Sequence, residues 1–208
     1  TKILDIACSF VKKKGFVISG AINKYVYITI TKPFEKGIYL KYTKNEKVNN
    51  IKNIEHNIFR ETIKKYSNNL DQIEITALAD IPSGTGLGSS SSFTNALIKA
   101  IFENNGKKIS KKRLAELSCD IEINKLKAPI GKQDQFISSY GGLKSMTFNK
   151  NHAVSIKDLK ISKKKISTLE KKLVLYFTNF KRDANDILKD QDEKSKEGDK
   201  AIIETLNT

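Results

Sequence analysis

A glycine- and serine-rich segment at residues 82–92 has the residue types best suited to chemistry in this sequence. Its glycines permit positive φ and close approach of the backbone to a ligand. A helix that begins directly after it would offer free N–H groups and the positive end of its dipole to an anion. The segment therefore predicts a phosphate-binding loop, in preference to a flexible turn that ends in a serine N-cap. The predicted contacts are Pro82, Gly84, Gly86, Leu87, Gly88, Ser89, Ser90 and Ser91.

The spacing of this loop fits neither of two common phosphate-binding patterns. A P-loop, GxxxxGK[ST], needs a lysine after its second glycine, and Leu87 or Ser89 stands there instead. A dinucleotide fingerprint needs GxGxxG, whereas residues 84–88 have glycine at every second position. The loop must therefore belong to another class of phosphate site.

Two carboxylates downstream could complete a phosphate-transfer site. Glu122 shares a helical stripe with Ala115 and Ser118, whose small side chains would let a hydrated cation approach. The spacing also fits a surface glutamate, and taken alone it favours that interpretation. Asp134 follows a Pro/Gly loop and could orient or deprotonate a hydroxyl, with Lys132 offsetting phosphate charge. A polar turn explains Asp134 equally well.

A mixed arrangement of strands and helices must position these groups. Runs of β-branched and aromatic residues predict strands at 16–19, 25–31, 38–42, 72–78, 143–148, 153–156 and 173–178. Apolar periodicity predicts helices at 55–66, after a cap at Ser89 or Ser90, after a cap at Ser110, and from about residue 183. The helix after the loop is expected to bury Phe93, Ala96, Leu97, Ala100 and Ile101.

Composition narrows the class of protein. The 208 residues are 38% hydrophobic and 29% charged, and no apolar run approaches the roughly 18 residues that cross a bilayer. The sequence opens without the layout of a secretory signal, and Cys8 and Cys119 form no CxxC pair, so we expect a cytoplasmic protein. The net charge of +15 fits an anionic partner or a lysine-rich surface, and the scattered lysines favour the surface. We expect neither a nucleic acid nor a membrane as partner.

The segments around these groups resemble the GHMP kinases, the superfamily of galactokinase, homoserine kinase, mevalonate kinase and phosphomevalonate kinase. Residues 81–93 are similar to the second signature motif, and most similar to that of the D-glycero-D-manno-heptose 7-phosphate kinases. Glu122, residues 131–135 and residues 140–142 follow the pattern of that branch in type and spacing. Residues 15–25 resemble its early strand pair.

The resemblance implies an α+β fold and a set of site residues. It implies a GHMP kinase N-terminal domain, like domain 2 of ribosomal protein S5, over residues 1–170, and the start of a truncated ferredoxin-like C-terminal domain over 171–208. ATP is the implied donor, with Mg²⁺ held by Ser90 and Glu122 and with Asp134 as the base. The implied substrate contacts are Asp5, Gln133 and Arg182. The sequence has no counterpart of the opening Pro-Leu-Arg strand or of the third glycine-rich motif of that family.

The implied reaction is the phosphorylation by ATP of the anomeric hydroxyl of D-glycero-D-manno-heptose 7-phosphate. The implied partners are therefore ATP and a sugar phosphate. Another GHMP sugar kinase, similar to galactokinase or fucokinase, is the nearest alternative. A basic RNA-binding domain with an S5-like fold is a remote alternative, which predicts salt-dependent affinity for RNA.

Overall fold

The computed structural model describes residues 15–69 and 71–176. These residues form two β-sheets with helices packed against them. The smaller sheet is antiparallel, with strand order β1-β6-β7. The larger sheet has the order β2-β5-β3-β4, in which β5 runs parallel to β3 and antiparallel to β2. The strands are β1 Gly15–Gly20, β2 Val26–Thr31, β3 Gly37–Lys41, β4 Asn45–Val48, β5 Gln72–Ala79, β6 Leu143–Phe148 and β7 Val154–Asp158.

The helices lie between the strands along the chain and pack mainly on α2. Their bounds are α1 Asn57–Tyr66, α2 Ser89–Asn104, α3 Lys111–Cys119, α4 Gln133–Tyr140 and α5 Lys163–Glu170. A π-helical turn, Asp120–Lys125, continues α3, and a short 3₁₀ turn, Ile51–Asn53, precedes α1. Within the part of the chain that the structure describes, no helix is both long and apolar enough to span a bilayer.

The larger sheet buries its inner face against α1 and α2. Ile73 and Ile75 alternate with more exposed positions along β5, because successive side chains of a strand point to opposite faces. Phe59 of α1 is fully buried and lies with its ring centroid 5.0 Å from that of Phe93 of α2 and 5.1 Å from that of His56. This core fixes α2 against the strand that leads into the glycine–serine loop.

A second core joins the smaller sheet to α3 and α4. Ala115 and Cys119 of α3, Phe136 and Ile137 of α4, and Met146 of β6 are buried together. Their burial holds the first turn of α4, which carries Asp134, against a sheet other than the one that ends in the loop. The two cores therefore approach each other along α2, which contacts both α3 and α4.

The α+β fold predicted from the sequence is confirmed, with several local corrections. The strand predicted at 173–178 is wrong over 173–176, which form no strand, and β4 and α5 were not predicted. The serine cap of α2 is also wrong, since Gly88 occupies the N-cap position in a left-handed conformation. Residues 177–208, including the predicted helix from about 183, lie outside the described residues, and the domain boundary at 170 stays a prediction.

The buried face of α2 also differs from the predicted one. Leu97, Ile98 and Ile101 are buried, but so are the polar Thr94 and Asn95. Ala96 and Ala100 are only half-buried. Thr94 and Asn95 therefore face the interior of the protein, whereas periodicity alone predicts that Ala96 and Ala100 do so.

We expect Phe59→Ala to lower the free energy of unfolding by about 3–5 kcal/mol, because it leaves a cavity in the core between α1, α2 and the sheet. Urea denaturation followed by circular dichroism measures this loss. Phe34→Ala is the matched control, since Phe34 is fully exposed and its removal should change stability by no more than about 0.5 kcal/mol. Equal losses in the two variants would contradict the assignment of the core.

Candidate active site

The glycine–serine loop joins the end of β5 to the start of α2. Gly84, Gly86 and Gly88 have φ values of 77°, 71° and 69°, which residues with a Cβ rarely adopt. Gly88 is the N-cap, and no side chain caps the helix there. The first-turn N–H groups of α2 are therefore left for another acceptor, as an anion site requires.

Glu122 is buried beside the first turn of α2, so its interpretation as a surface residue is wrong. It lies in the π-helical turn after α3 and is 2% exposed. The Ser90 hydroxyl donates to Glu122 Oε1 at 2.6 Å, and the amide of Gln135 donates to Glu122 Oε2 at 2.7 Å. Burial raises the pKa of Glu122, while hydrogen bonds from Ser90, Gln135 and Ser91 act to lower it.

Asp134 lies in the first turn of α4 rather than in a loop, and its carboxyl packs directly against Gly88. A Cβ placed on Gly88 would be 3.2 Å from both Cγ and Oδ2 of Asp134. The carboxyl is therefore held at the N-terminus of α2, where a phosphate would bind. Burial raises the pKa of Asp134, and its negative charge in turn raises the pKa of Glu122.

A buried polar network behind these groups joins three helices. Asn95 of α2 donates through Nδ2 to the Gln135 carbonyl at 2.8 Å and to Ser138 Oγ at 2.7 Å. The Ser118 hydroxyl of α3 donates to Asn95 Oδ1. Sequence reasoning missed both Asn95 and Gln135. The signal available for Gln135 was its place directly after the predicted base.

A cleft of about 480 Å³ opens beside the loop and is large enough for a small-molecule ligand. Leu87, Gly88 and Ser89 of the loop line it, together with Asp134. Residues of α2, α3, α4 and the connection between β1 and β2 form its other walls. The predicted base and the predicted phosphate loop therefore face one common space.

Several residues predicted for the site lie elsewhere. The Lys132 ammonium group donates to the His152 carbonyl at 2.9 Å and lines a separate cavity of about 210 Å³. Gln133 is buried and lines neither that cavity nor the cleft. Asp5 and Arg182 lie outside the described residues. Of the predicted groups, the structure brings together the loop, Glu122 and Asp134.

Comparison with known families identifies this arrangement. Residues 41–142, which include the loop, Glu122 and Asp134, match the family described as "GHMP kinases N terminal domain". The chain carries a GHMP kinase N-terminal domain. The family resemblance predicted from the sequence motifs is therefore confirmed, and the matched residues include the loop and both carboxylates.

The chain is also similar to individual proteins that are named as sugar kinases. The D-glycero-alpha-D-manno-heptose 7-phosphate kinase of Campylobacter jejuni is 30% identical over 207 residues, which cover 94% of this chain and 60% of that protein. A galactokinase of Thermotoga neapolitana is 25% identical over 150 residues, which cover 67% of this chain and 40% of that protein. The chain thus spans about 60% of the length of the heptose kinase.

Solved structures give the same result for the fold. A D-glycero-D-manno-heptose 1-phosphate kinase from Bacteriodes thetaiotaomicron superposes with a TM-score of 0.72 at 25% identity, over 92% of this chain and 65% of that one. A putative sugar kinase from Campylobacter jejuni gives 0.70 at 27% identity, over 92% and 64% of the two chains. A mevalonate kinase, at 23% identity and a TM-score of 0.62, shares the fold, with 93% and 67% covered.

The oxygen donors in the GHMP kinase domain fit the Mg²⁺ that the family implies. Ser90 Oγ and Glu122 Oε1 lie side by side, and hydroxyl and carboxylate oxygens are ligands that Mg²⁺ prefers. No group of three or more His, Cys, Asp or Glu side chains suited to a metal occurs among residues 15–69 and 71–176. A cation at Ser90 and Glu122 would therefore share its remaining positions with water and phosphate oxygens.

We expect Asp134→Asn to raise the midpoint of thermal unfolding at pH 7, because Asp134 is half-buried and a carboxylate whose pKa is raised by desolvation costs stability once ionised. The cost is absent below the pKa of an aspartate in the unfolded chain, about 3.9, grows as pH rises above that value, and levels off once pH exceeds the folded pKa. The difference between variant and parent should therefore widen from pH 4 to pH 7. Asp71→Asn, which removes an exposed carboxylate, is the control and should give no such widening.

Proposed function

We propose that this protein is an ATP-dependent kinase that phosphorylates the anomeric hydroxyl of D-glycero-D-manno-heptose 7-phosphate, giving the 1,7-bisphosphate. One observation carries the proposal. The carboxyl of Asp134 packs against Gly88, the N-cap of α2, so a base lies within contact distance of the phosphate loop. A hydroxyl that bound to Asp134 would meet a phosphoryl group held at the helix N-terminus.

The proposed roles follow from charge and position. The loop and the first-turn N–H groups of α2 bind the triphosphate of ATP. Mg²⁺, when held by Ser90 and Glu122, would supply positive charge to the phosphate oxygens. Asp134 accepts the hydroxyl proton as the oxygen attacks the terminal phosphorus, and ADP leaves with the electron pair of the broken P–O bond. The raised pKa brings Asp134 closer to neutral pH, which makes it a stronger base than an exposed aspartate.

Lys132 has no part in this mechanism, because its ammonium group is bonded to the His152 carbonyl and faces the other cavity. The dipole and the backbone N–H groups of α2 instead compensate the phosphate charge, the role that the sequence predicted for Lys132. Phosphoryl transfer depends mainly on positioning and charge stabilisation, so the loop, the cation and one base are sufficient.

The choice of sugar rests on the relatives. The protein at 30% identity is named a heptose 7-phosphate kinase, and the structure at a TM-score of 0.72 is named a heptose 1-phosphate kinase. Galactokinases at 25% and 26% identity support the second candidate, a kinase of free hexoses. A panel of sugars assayed for ADP release separates the two, and turnover of galactose without the heptose phosphate would favour the second. A cytoplasmic location stays a prediction.

We expect Asp134→Asn to reduce kcat by roughly 10²–10⁴-fold, the usual contribution of a positioned general base. The substitution preserves shape, so the Kd for ATP with Mg²⁺, measured by calorimetry, should change little. The full-length protein is used, and its turnover is measured with a coupled assay for released ADP. Retained kcat in the variant would remove Asp134 from the mechanism.

We expect Gly88→Ala to lower kcat by about 100-fold, because the added Cβ would displace the Asp134 carboxyl from the loop. Gly106→Ala is the control. Gly106 has the same kind of positive φ, 70°, but a Cβ there meets nothing within 4 Å. Both variants should lose similar stability from backbone strain, and only Gly88→Ala should lose turnover. A normal kcat in Gly88→Ala would contradict the close packing of loop and base.

A further inference from the structure

The cleft beside the glycine–serine loop is positively charged. Lys24, Lys99 and Lys111 all line it, and Asp134 is the one acidic residue among the described residues of its wall. Serine hydroxyls and the phenol of Tyr25 provide neutral polar groups on the same walls. A ligand of this cleft should therefore carry a negatively charged group and further hydroxyl groups in addition to the hydroxyl that reacts.

Two of these lysines are available to such a ligand. The Lys111 ammonium group already donates to the Tyr140 carbonyl at 3.0 Å. Lys24 and Lys99 are exposed, and the ammonium group of neither makes a hydrogen bond or an ion pair with another described residue. An unpaired ammonium group is a strong partner for a phosphate oxygen, because the bond between them is charge-assisted.

The position of Lys99 separates it from the phosphates of the nucleotide. Ser89 and Lys99 both face the cleft from α2, but they are ten residues apart, or roughly 15 Å along the helix axis. The Lys99 side chain leans toward the N-terminus of α2, as side chains in helices do, and this shortens the gap without closing it. Lys99 is therefore placed to meet a part of a ligand that lies away from the phosphate loop.

Lys24 lines the same cleft from a different element. It lies in the connection between β1 and β2. Its neighbour Tyr25 is held in place, since its backbone N–H donates to Asp80 Oδ2 at 2.9 Å. The two unpaired lysines therefore line the cleft from two different elements of the fold.

We infer that Lys24 and Lys99 bind a phosphate group carried by the acceptor sugar at the end remote from the reacting hydroxyl. The cleft thereby selects a phosphorylated sugar over the free sugar. This inference rests on the proposed function, because Asp134 defines which end of the acceptor reacts. The donor phosphates bind at the loop, and the acceptor phosphate binds at the lysines.

The test compares two acceptors and three single variants of the full-length protein. The acceptors are D-glycero-D-manno-heptose 7-phosphate and the same heptose without its phosphate. Lys24→Ala and Lys99→Ala should each raise the KM for the heptose phosphate about tenfold or more, as expected for loss of a hydrogen bond between charged groups. Neither should change the KM for ATP or the kcat/KM for the free heptose. Lys64→Ala, at an exposed position of α1 outside the cleft, is the control and should behave as the parent.

The other possible results separate failure of the lysine site from failure of the proposed kinase activity. An unchanged KM for the heptose phosphate would overturn the inference and leave the kinase activity standing. A raised KM for ATP would assign the lysines to the nucleotide and also overturn the inference. If no sugar is phosphorylated, calorimetry with the heptose phosphate alone replaces the assay. Binding that the parent shows and Lys99→Ala weakens would then support the lysine site while the proposed function fails, and absence of binding would overturn both.

Discussion

The burial of the Glu122 carboxylate is the constraint on which the site depends. An ionised carboxyl that is removed from water destabilises the fold unless hydrogen bonds compensate it. Here both oxygens accept a bond, one from the Ser90 hydroxyl and one from the Gln135 amide. These bonds join the first turn of α2, the π-helical turn and the first turn of α4. The geometry that brings the loop to Asp134 follows from satisfying this one buried charge.

The π-helical turn gives Glu122 its place. A continued α-helix would keep the 3.6-residue repeat, whereas the extra residue per turn rotates the side chains that follow. Asn95 supports the same junction from behind, because it bonds the Gln135 carbonyl and so fixes the residue that holds Glu122. Hydrogen bonds between buried groups of this kind stiffen the junction, although Gln135 Oε1 is buried with no hydrogen-bond partner among the described residues. The site is thus held by hydrogen bonds between helices, while the two apolar cores hold the helices on their sheets.

Much of this arrangement could be predicted from the sequence, and the failures have identifiable causes. The loop between a strand and a helix follows from glycine spacing and β-branched residues, and both elements are present as β5 and α2. Lys132, which was predicted to offset phosphate charge, lines a different cavity from Asp134, since residues two apart near the start of a helix point to different sides. Asn95 was missed because a polar residue on a buried face has the sequence signature of a surface residue. The π-helical turn has no periodicity of its own, so the sequence could not show that Glu122 is buried.

The packing of Gly88 on Asp134 also has a consequence for evolution. A side chain at position 88 would need both a left-handed backbone and the volume that the carboxyl now fills. A side chain at position 88 therefore also requires a change at position 134, although 46 residues separate the two along the chain. A descendant that lost the carboxyl would lose one of the two reasons to keep the glycine. Substitution at position 88 in a homologous sequence would therefore be a marker of a chain that no longer uses this base.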